Sequence, residues 1–356
     1  MKRRNVLRAG AGLVGTAGLA GCGLLETEQR SVRSPPLVED RPDAVYYPTH
    51  VEGMEMVGSA SAGEYEVAAM YSYPHRFWTV TGSEANITEI QSGDAMHLMA
   101  TVWDPETGLV LPETGLDVVL RKDGELVSEE VIYPMLSQPM GFHYGANFEG
   151  DGDGSYAVEI NVGAVPGDGV RTTGDFDGRF AEPGSATIEF DYSEATKNEI
   201  SYEELDNAGE TGALEPMDME MLPNSTAPAQ TDLPGEVRGT ATTGDANLVV
   251  SVLESPPAGI EASGQYLAVS ARTPHNRMIV PAMSLAGTLT RGDSEVFADT
   301  LTRTLDPDLN YHYGAVVDSV ESGDTLSLQV ETPPQVARHE GYETAFLDMP
   351  DAEVTL

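Results

Sequence analysis

Apolar and polar positions alternate along most of this chain with the period of a strand. From Met96 to Trp103 the alternation is that of a half-buried strand, which puts His97 and Met99 on the same face. Glu64–Met70 and Phe77–Val80 are β-favouring runs broken by Pro74 and Gly82. Asp117–Leu120, Leu126–Tyr133 and Tyr156–Val162 add strands, separated by turn-forming Lys122-Asp123-Gly124 and Gly150–Gly154. Between Tyr133 and Asn147, two prolines and two glycines punctuate the chain too heavily for a helix. This stretch reads as a strand end, a loop, and a strand resuming at His143. With almost no helical periodicity, these spacings predict an all-β chain built on antiparallel sandwiches.

From Glu194 to about Thr240 the pattern dissolves into an acidic, Pro-broken segment, with room for a short helix over Asn198–Leu205. Strand-like alternation then resumes and repeats the first half. His312-Tyr313-Gly314-Ala315 matches His143-Tyr144-Gly145-Ala146 at an offset of 169 (312 minus 143). The same offset pairs Leu267 with Leu98, Leu285 with Leu116, Leu289 with Leu120 and Leu305 with Leu136, without a gap. The expected organisation is a sandwich over 43–195, a linker over 196–240 and a degenerate second sandwich over 241–356.

The repeat also acts as a control on the chemistry. His97, Met99 and Met135 become Tyr266, Ala268 and Thr304 in the second copy, and only His143 keeps a counterpart, His312. The shared His-Tyr-Gly therefore has a structural part, whereas the His/Met set is peculiar to the first copy. Two imidazoles and two thioethers make a soft donor set that favours copper, especially Cu(I).

Charge and address refine this picture. The 356 residues carry a net charge of −39 and a single cysteine. Lysine occurs only at positions 2, 122 and 197, and the acidic groups are spread throughout, as expected of a protein from a hypersaline habitat. Without a basic patch, nucleic acid is excluded as a partner. Arg3-Arg4 ahead of a short apolar run, ending in Leu19-Ala20-Gly21-Cys22, reads as a twin-arginine lipoprotein signal over 1–22. The expectation is an exported protein, lipidated at Cys22, tethered by residues 23–42 to the outer face of the cell membrane. Being alone, Cys22 forms no internal disulfide. Asn86-Ile87-Thr88 and Asn224-Ser225-Thr226 fit the glycosylation sequon, and Met217, Met219 and Met221 alternate in the linker. Hydrolase, phosphate-loop, dinucleotide and zinc-protease motifs are absent from the sequence, and the chain is read as non-enzymatic.

Met96–Ala100, Tyr133-Pro134-Met135, His143–Asn147 and Gly154–Val158 together resemble the periplasmic ferrous-iron-transport lipoprotein family, in a haloarchaeal-type form. The resemblance covers roughly residues 45–165, with a fainter echo in the second half. It implies immunoglobulin-like sandwiches, a bound copper or iron ion, a membrane iron permease as partner and a possible homodimer. It places ligands at His97, Met135 and His143. Where the family has Glu two residues after its first His, this chain has Met99, which shifts preference from Fe²⁺ toward Cu(I). The resemblance also brings His50, Glu52, Met54 and Met56 near the site as a second tier, His50 foremost. His75, in Tyr73-Pro74-His75-Arg76-Phe77-Trp78, reads as a member of an aromatic cluster and is not assigned. The competing reading is a surface interaction module of two sandwiches that binds no metal, its His and Met residues serving as packing.

Overall fold

The computed structural model describes residues 34–356 except 166, 168, 220 and 221. The twin-arginine segment, Cys22, most of the 23–42 tether and Met221 lie outside the described residues. Among those described, regular structure is almost all strand, relieved by a helical turn at Glu194–Lys197 and a 3-10 turn at Gly174–Phe176. The all-β expectation holds.

In the first half a single long strand, Glu125–Ser137, belongs to two sheets. Its early residues pair antiparallel with Leu116–Lys122, and its last five with Gly141–Glu149. The first sheet continues through Gly154–Val162 to Gly184–Tyr192. The second runs through Asp94–Trp103 and Tyr65–Ser72 to Glu55–Ala62. Met96, Leu98, Ala100 and Val102 enter the core between the sheets, so His97 and Met99 point away from it, as the alternation requires. Both are nevertheless buried, because further chain covers that outer face.

The second half reproduces this pairing. Met135 faces His143 and Thr304 faces His312; Met99 faces Gly145 and Ala268 faces Gly314. The Tyr144 hydroxyl accepts from Thr114 N–H, and that of Tyr313 from Met283 N–H, each at 3.1 Å. All these positions obey the 169 offset. The long strand is here split at Leu301 into Ser294–Thr300 and Thr302–Asp306.

Each half lends a short strand to the other. Val170–Thr172 pairs parallel with Thr302–Asp306, and Ala337–Arg338 pairs parallel with Met135 and Leu136. The next residue extends each ladder alike: Thr173 N–H donates to Leu305 C=O at 3.0 Å, and His339 N–H to Leu136 C=O at 3.1 Å. Thr173 and His339 thus occupy equivalent places in a reciprocal exchange. Arg338 anchors the second strand. Fully buried, it donates to the Val336 and Pro334 carbonyls at 2.7 and 3.1 Å and lies over the Phe346 ring.

The 196–240 segment departs from the short-helix expectation. The helical turn, capped by Ser193, ends before Asn198, and Tyr202–Glu204 pairs as a strand with His50–Glu52. Tertiary pairing with an otherwise unpaired strand outweighs a weak local helical preference.

Candidate metal centre

Four histidines and one methionine meet on the outer face of the first sandwich. His143 is presented by the strand Gly141–Glu149. Its Nδ1–H donates to the Gly141 carbonyl at 3.1 Å, across a turn where Gly141 holds φ 67°. That bond fixes the tautomer and leaves Nε2 as a bare lone pair, fully buried and without a partner. His97, on the strand Asp94–Trp103, lies opposite Asn147. The Asn147 amide donates to the His75 carbonyl at 2.9 Å, so its oxygen accepts from His97 Nδ1–H, also at 2.9 Å. His97 Nε2 is likewise buried and unpartnered.

Met135 and His339 complete the group from the exchanged ladder. Met135 Sδ lies 3.3 Å from His339 Nε2, the separation of two donors able to share one ion. His75 stacks on His97 with ring centroids 3.9 Å apart, while the His143 and His339 centroids are 5.1 Å apart. One nitrogen each from His75, His97 and His339 falls within a mutual 4.8 Å. Donors at about 2.0–2.3 Å from one ion span up to roughly 4 Å, so closure requires only a small contraction. Gly145 gives the group its floor: a Cβ there would lie 2.8 Å from His97 Nε2 and 3.2 Å from Met135 Sδ.

Burial keeps His97, His143 and His339 neutral. It lowers His97 and His339 well below the ordinary histidine value, helped by neighbouring histidines, and pushes His143 down to about 4. Neutral, tautomer-fixed imidazoles with free lone pairs are the form that ligates metal. At the edge sits Glu52. Burial opposes its ionisation, but hydrogen bonding to His50 and His75 outweighs burial and holds the carboxyl below its usual range.

Of the residues the sequence singled out, the structure gathers His97, Met135 and His143. His50 stands one residue further out, its Nε2 3.1 Å from Glu52 Oε1 and its ring stacked on Tyr202. It reaches the group through Glu52, whose other oxygen lies 3.7 Å from His75 Nδ1. Met99 shares the face of His97 but packs with Met70, Trp103 and Met140, against which Met54 and Met56 also lie. Sequence reasoning missed His75 and His339. His75 does stack among rings, and those rings are imidazoles. His339 has no histidine counterpart in the first half and arrives only through strand exchange.

Fold and side chains together define a two-sandwich protein with a buried imidazole and thioether cluster on one sandwich. The chain belongs to the family described as "Domain of unknown function (DUF7350)", which matches residues 55–169 and 231–355. Among curated proteins nothing matches. Among solved structures, a copper-bound variant of FetP from uropathogenic Escherichia coli strain F11 is 22% identical, with a TM-score of 0.30 over 39% of this chain and 97% of that one. FetP from the same strain, as isolated, is also 22% identical, with a TM-score of 0.29 over 40% and 96%. A likeness this distant carries no inference about the site, whose chemistry stands on its own donors.

Proposed function

We propose that this protein is an exported, surface-tethered binder of a transition metal, with copper as the favoured cargo, serving iron uptake beside a membrane permease. His97 Nε2, His143 Nε2, His339 Nε2 and Met135 Sδ hold the ion, and His75 closes the set. Four imidazoles and a thioether suit copper better than the oxygen-preferring Fe²⁺. Its mechanism is capture and hand-over without bond-making chemistry. The iron permease and the export route follow from the sequence resemblance and the twin-arginine signal. Since the second half supplies His339, one chain contains a complete donor set, and a homodimer is not needed to build it.

The observation that carries the proposal is the pair of tautomer-fixed, fully buried nitrogens without partners, at His97 and His143. A buried polar atom left unpaired costs about 1–3 kcal/mol, and a bound cation removes that cost at both positions. The interaction-module alternative expects satisfied histidines, which His312 is and these two are not.

The test is metal analysis of the purified protein in molar salt, comparing wild type with His143→Ala. Stoichiometric copper that disappears with the substitution supports the proposal. Wild-type protein that is metal-free and resists reconstitution with copper rejects it.

A further inference from the structure

Beside the histidines lies a second concentration of soft donors. Met70, Met99 and Met140 are buried together with Ala68, Trp103 and Leu222, and Met54, Met56 and Met219 pack against them. Six of the fourteen methionines in the chain thus meet in one cluster.

Methionine is a common filler of irregular cores, and the second half shows whether filling is sufficient here. Its equivalent cluster holds Ala268 where the first has Met99, Leu309 for Met140, and Val237 for Met56, and contains no methionine at all. The first two pairs follow the 169 offset. The third follows from matched ladders, in which Met56 faces Met70, across from Met99, and Val237 faces Ser251, across from Ala268. The same architectural position packs with aliphatic side chains and Tyr266, without a single thioether, so the thioethers exceed what packing requires.

They also border open space. A cavity of about 100 Å³ has Met54, Met99 and Met140 in its lining together with Glu52, His75 and His339. His75 Nε2 is buried there without a partner, a ligand-competent nitrogen, and the Glu52 carboxylate, whose Oε2 lies 3.7 Å from His75 Nδ1, supplies a negative charge.

We propose that this cavity is a second metal position, a thioether site for a soft monovalent cation, Cu(I), which docks there before passing to the histidine centre. Thioethers prefer Cu(I) to harder or divalent ions, and Glu52 offsets the charge of the arriving cation. His75 and His339 belong both to the lining of this cavity and to the histidine group, so the ion moves between positions without returning to solvent. This deepens the copper-binding reading and rests on it for the destination of the ion, though not for the docking itself.

The experiment uses the full chain in molar salt with Ag(I), a redox-inert stand-in for Cu(I), followed by Cu(I) supplied from a chromophoric chelator. His97→Ala/His143→Ala, which removes the histidine centre, should still take up one Ag(I). Met54→Leu/Met99→Leu/Met140→Leu should lose that Ag(I) and fill the intact centre at least about tenfold more slowly with Cu(I). Met140→Leu alone, which installs the residue the second half already carries, should give a smaller decrease of the same sign in a fold of unchanged circular dichroism. Ag(I) stoichiometry and Cu(I) loading rate unchanged in the triple variant would overturn the thioether site, as would a histidine-centre variant that takes no Ag(I). If wild type binds Ag(I) through the methionines but never fills its histidines, the docking site stands and the histidine centre falls.

Discussion

In both halves the histidine of the His-Tyr-Gly segment donates Nδ1–H to a carbonyl two residues upstream, at 3.1 Å to Gly141 and 2.9 Å to Asn310. In both, that upstream residue is left-handed, with φ of 67° and 61°. Burial depresses the two histidines equally, each to about 4. They part at Nε2. His312 Nε2 is bonded to the Tyr266 hydroxyl at 2.9 Å, and that phenol lies so close over Gly314 that a Cβ there would come within 1.9 Å of its oxygen. At the position of Tyr266 the first half has His97, which is shorter and leaves two lone pairs and a sulfur facing a common space. Burial, backbone and a depressed pKa are therefore scaffold properties, common to both copies. What separates site from scaffold is the missing partner.

The largest effect expected follows from that difference. His143→Ala should weaken copper binding by about a thousandfold or more, roughly 4 kcal/mol, by chelator competition. His312→Ala should leave copper affinity within about a factor of two, yet cost about 1 kcal/mol of stability in urea unfolding by removing the buried hydrogen bond to the Tyr266 hydroxyl. Comparable copper losses in the two variants would break the comparison.

Much of this was legible in the sequence, for reasons that also mark its limit. A period of two is local, so the His97 strand and its buried face could be read directly. The duplicate revealed itself because the backbone demands of His-Tyr-Gly and its flanking leucines persisted when the chemistry did not. Met99 shows where the period misleads. Sharing a face does not fix where a long side chain turns, and the Met99 thioether packs with Met70, Trp103 and Met140 in the next cluster along. His339 was invisible because a two-residue parallel strand from the far end of the chain carries no local signature. Only the pairing of Ala337 with Met135 places it.

That delivery from the other half supplies the next test. His339→Ala should reduce copper affinity about a hundredfold, although the substitution lies outside the sandwich that holds the other donors. Thr173, its exchanged equivalent, hydrogen-bonds the Asp306 carboxylate at 2.8 Å, and Thr173→Ala should leave copper affinity untouched. A wild-type affinity in His339→Ala would confine the centre to the first half alone.

A smaller effect is expected beneath the donors. Gly145→Ala places a methyl group 2.8 Å from His97 Nε2 and 3.2 Å from Met135 Sδ. Both donors must then move by a few tenths of an ångström, and copper affinity should fall about tenfold, on the scale of disturbed ligand positioning. The readout is again chelator competition, with circular dichroism to confirm the fold. Unchanged affinity would mean that the ion sits further from the strand than the present donor positions imply.

The smallest effect is in acid, where the two copies should behave alike until copper is added. A histidine whose folded pKa lies below its unfolded value of 6.5 leaves the unfolded chain holding more protons between the two values. Stability is therefore complete above about pH 6.5 and declines as pH falls toward 4. Within that window each histidine contributes a slope of up to about 1.4 kcal/mol per pH unit. The many carboxylates add a background of their own, so the informative quantity is the difference between variant and wild type in urea midpoints at pH 7, 6 and 5 and fixed salt. Without metal, His143→Ala and His312→Ala should each flatten the profile by one histidine's share. With copper bound, protons must also displace the ion from His143, and the wild-type profile should steepen. His312→Ala should retain that added steepness, whereas His143→Ala should lose it. Equal steepening in both variants would place the ion away from His143, and the two histidines would then differ only in their hydrogen-bond partners.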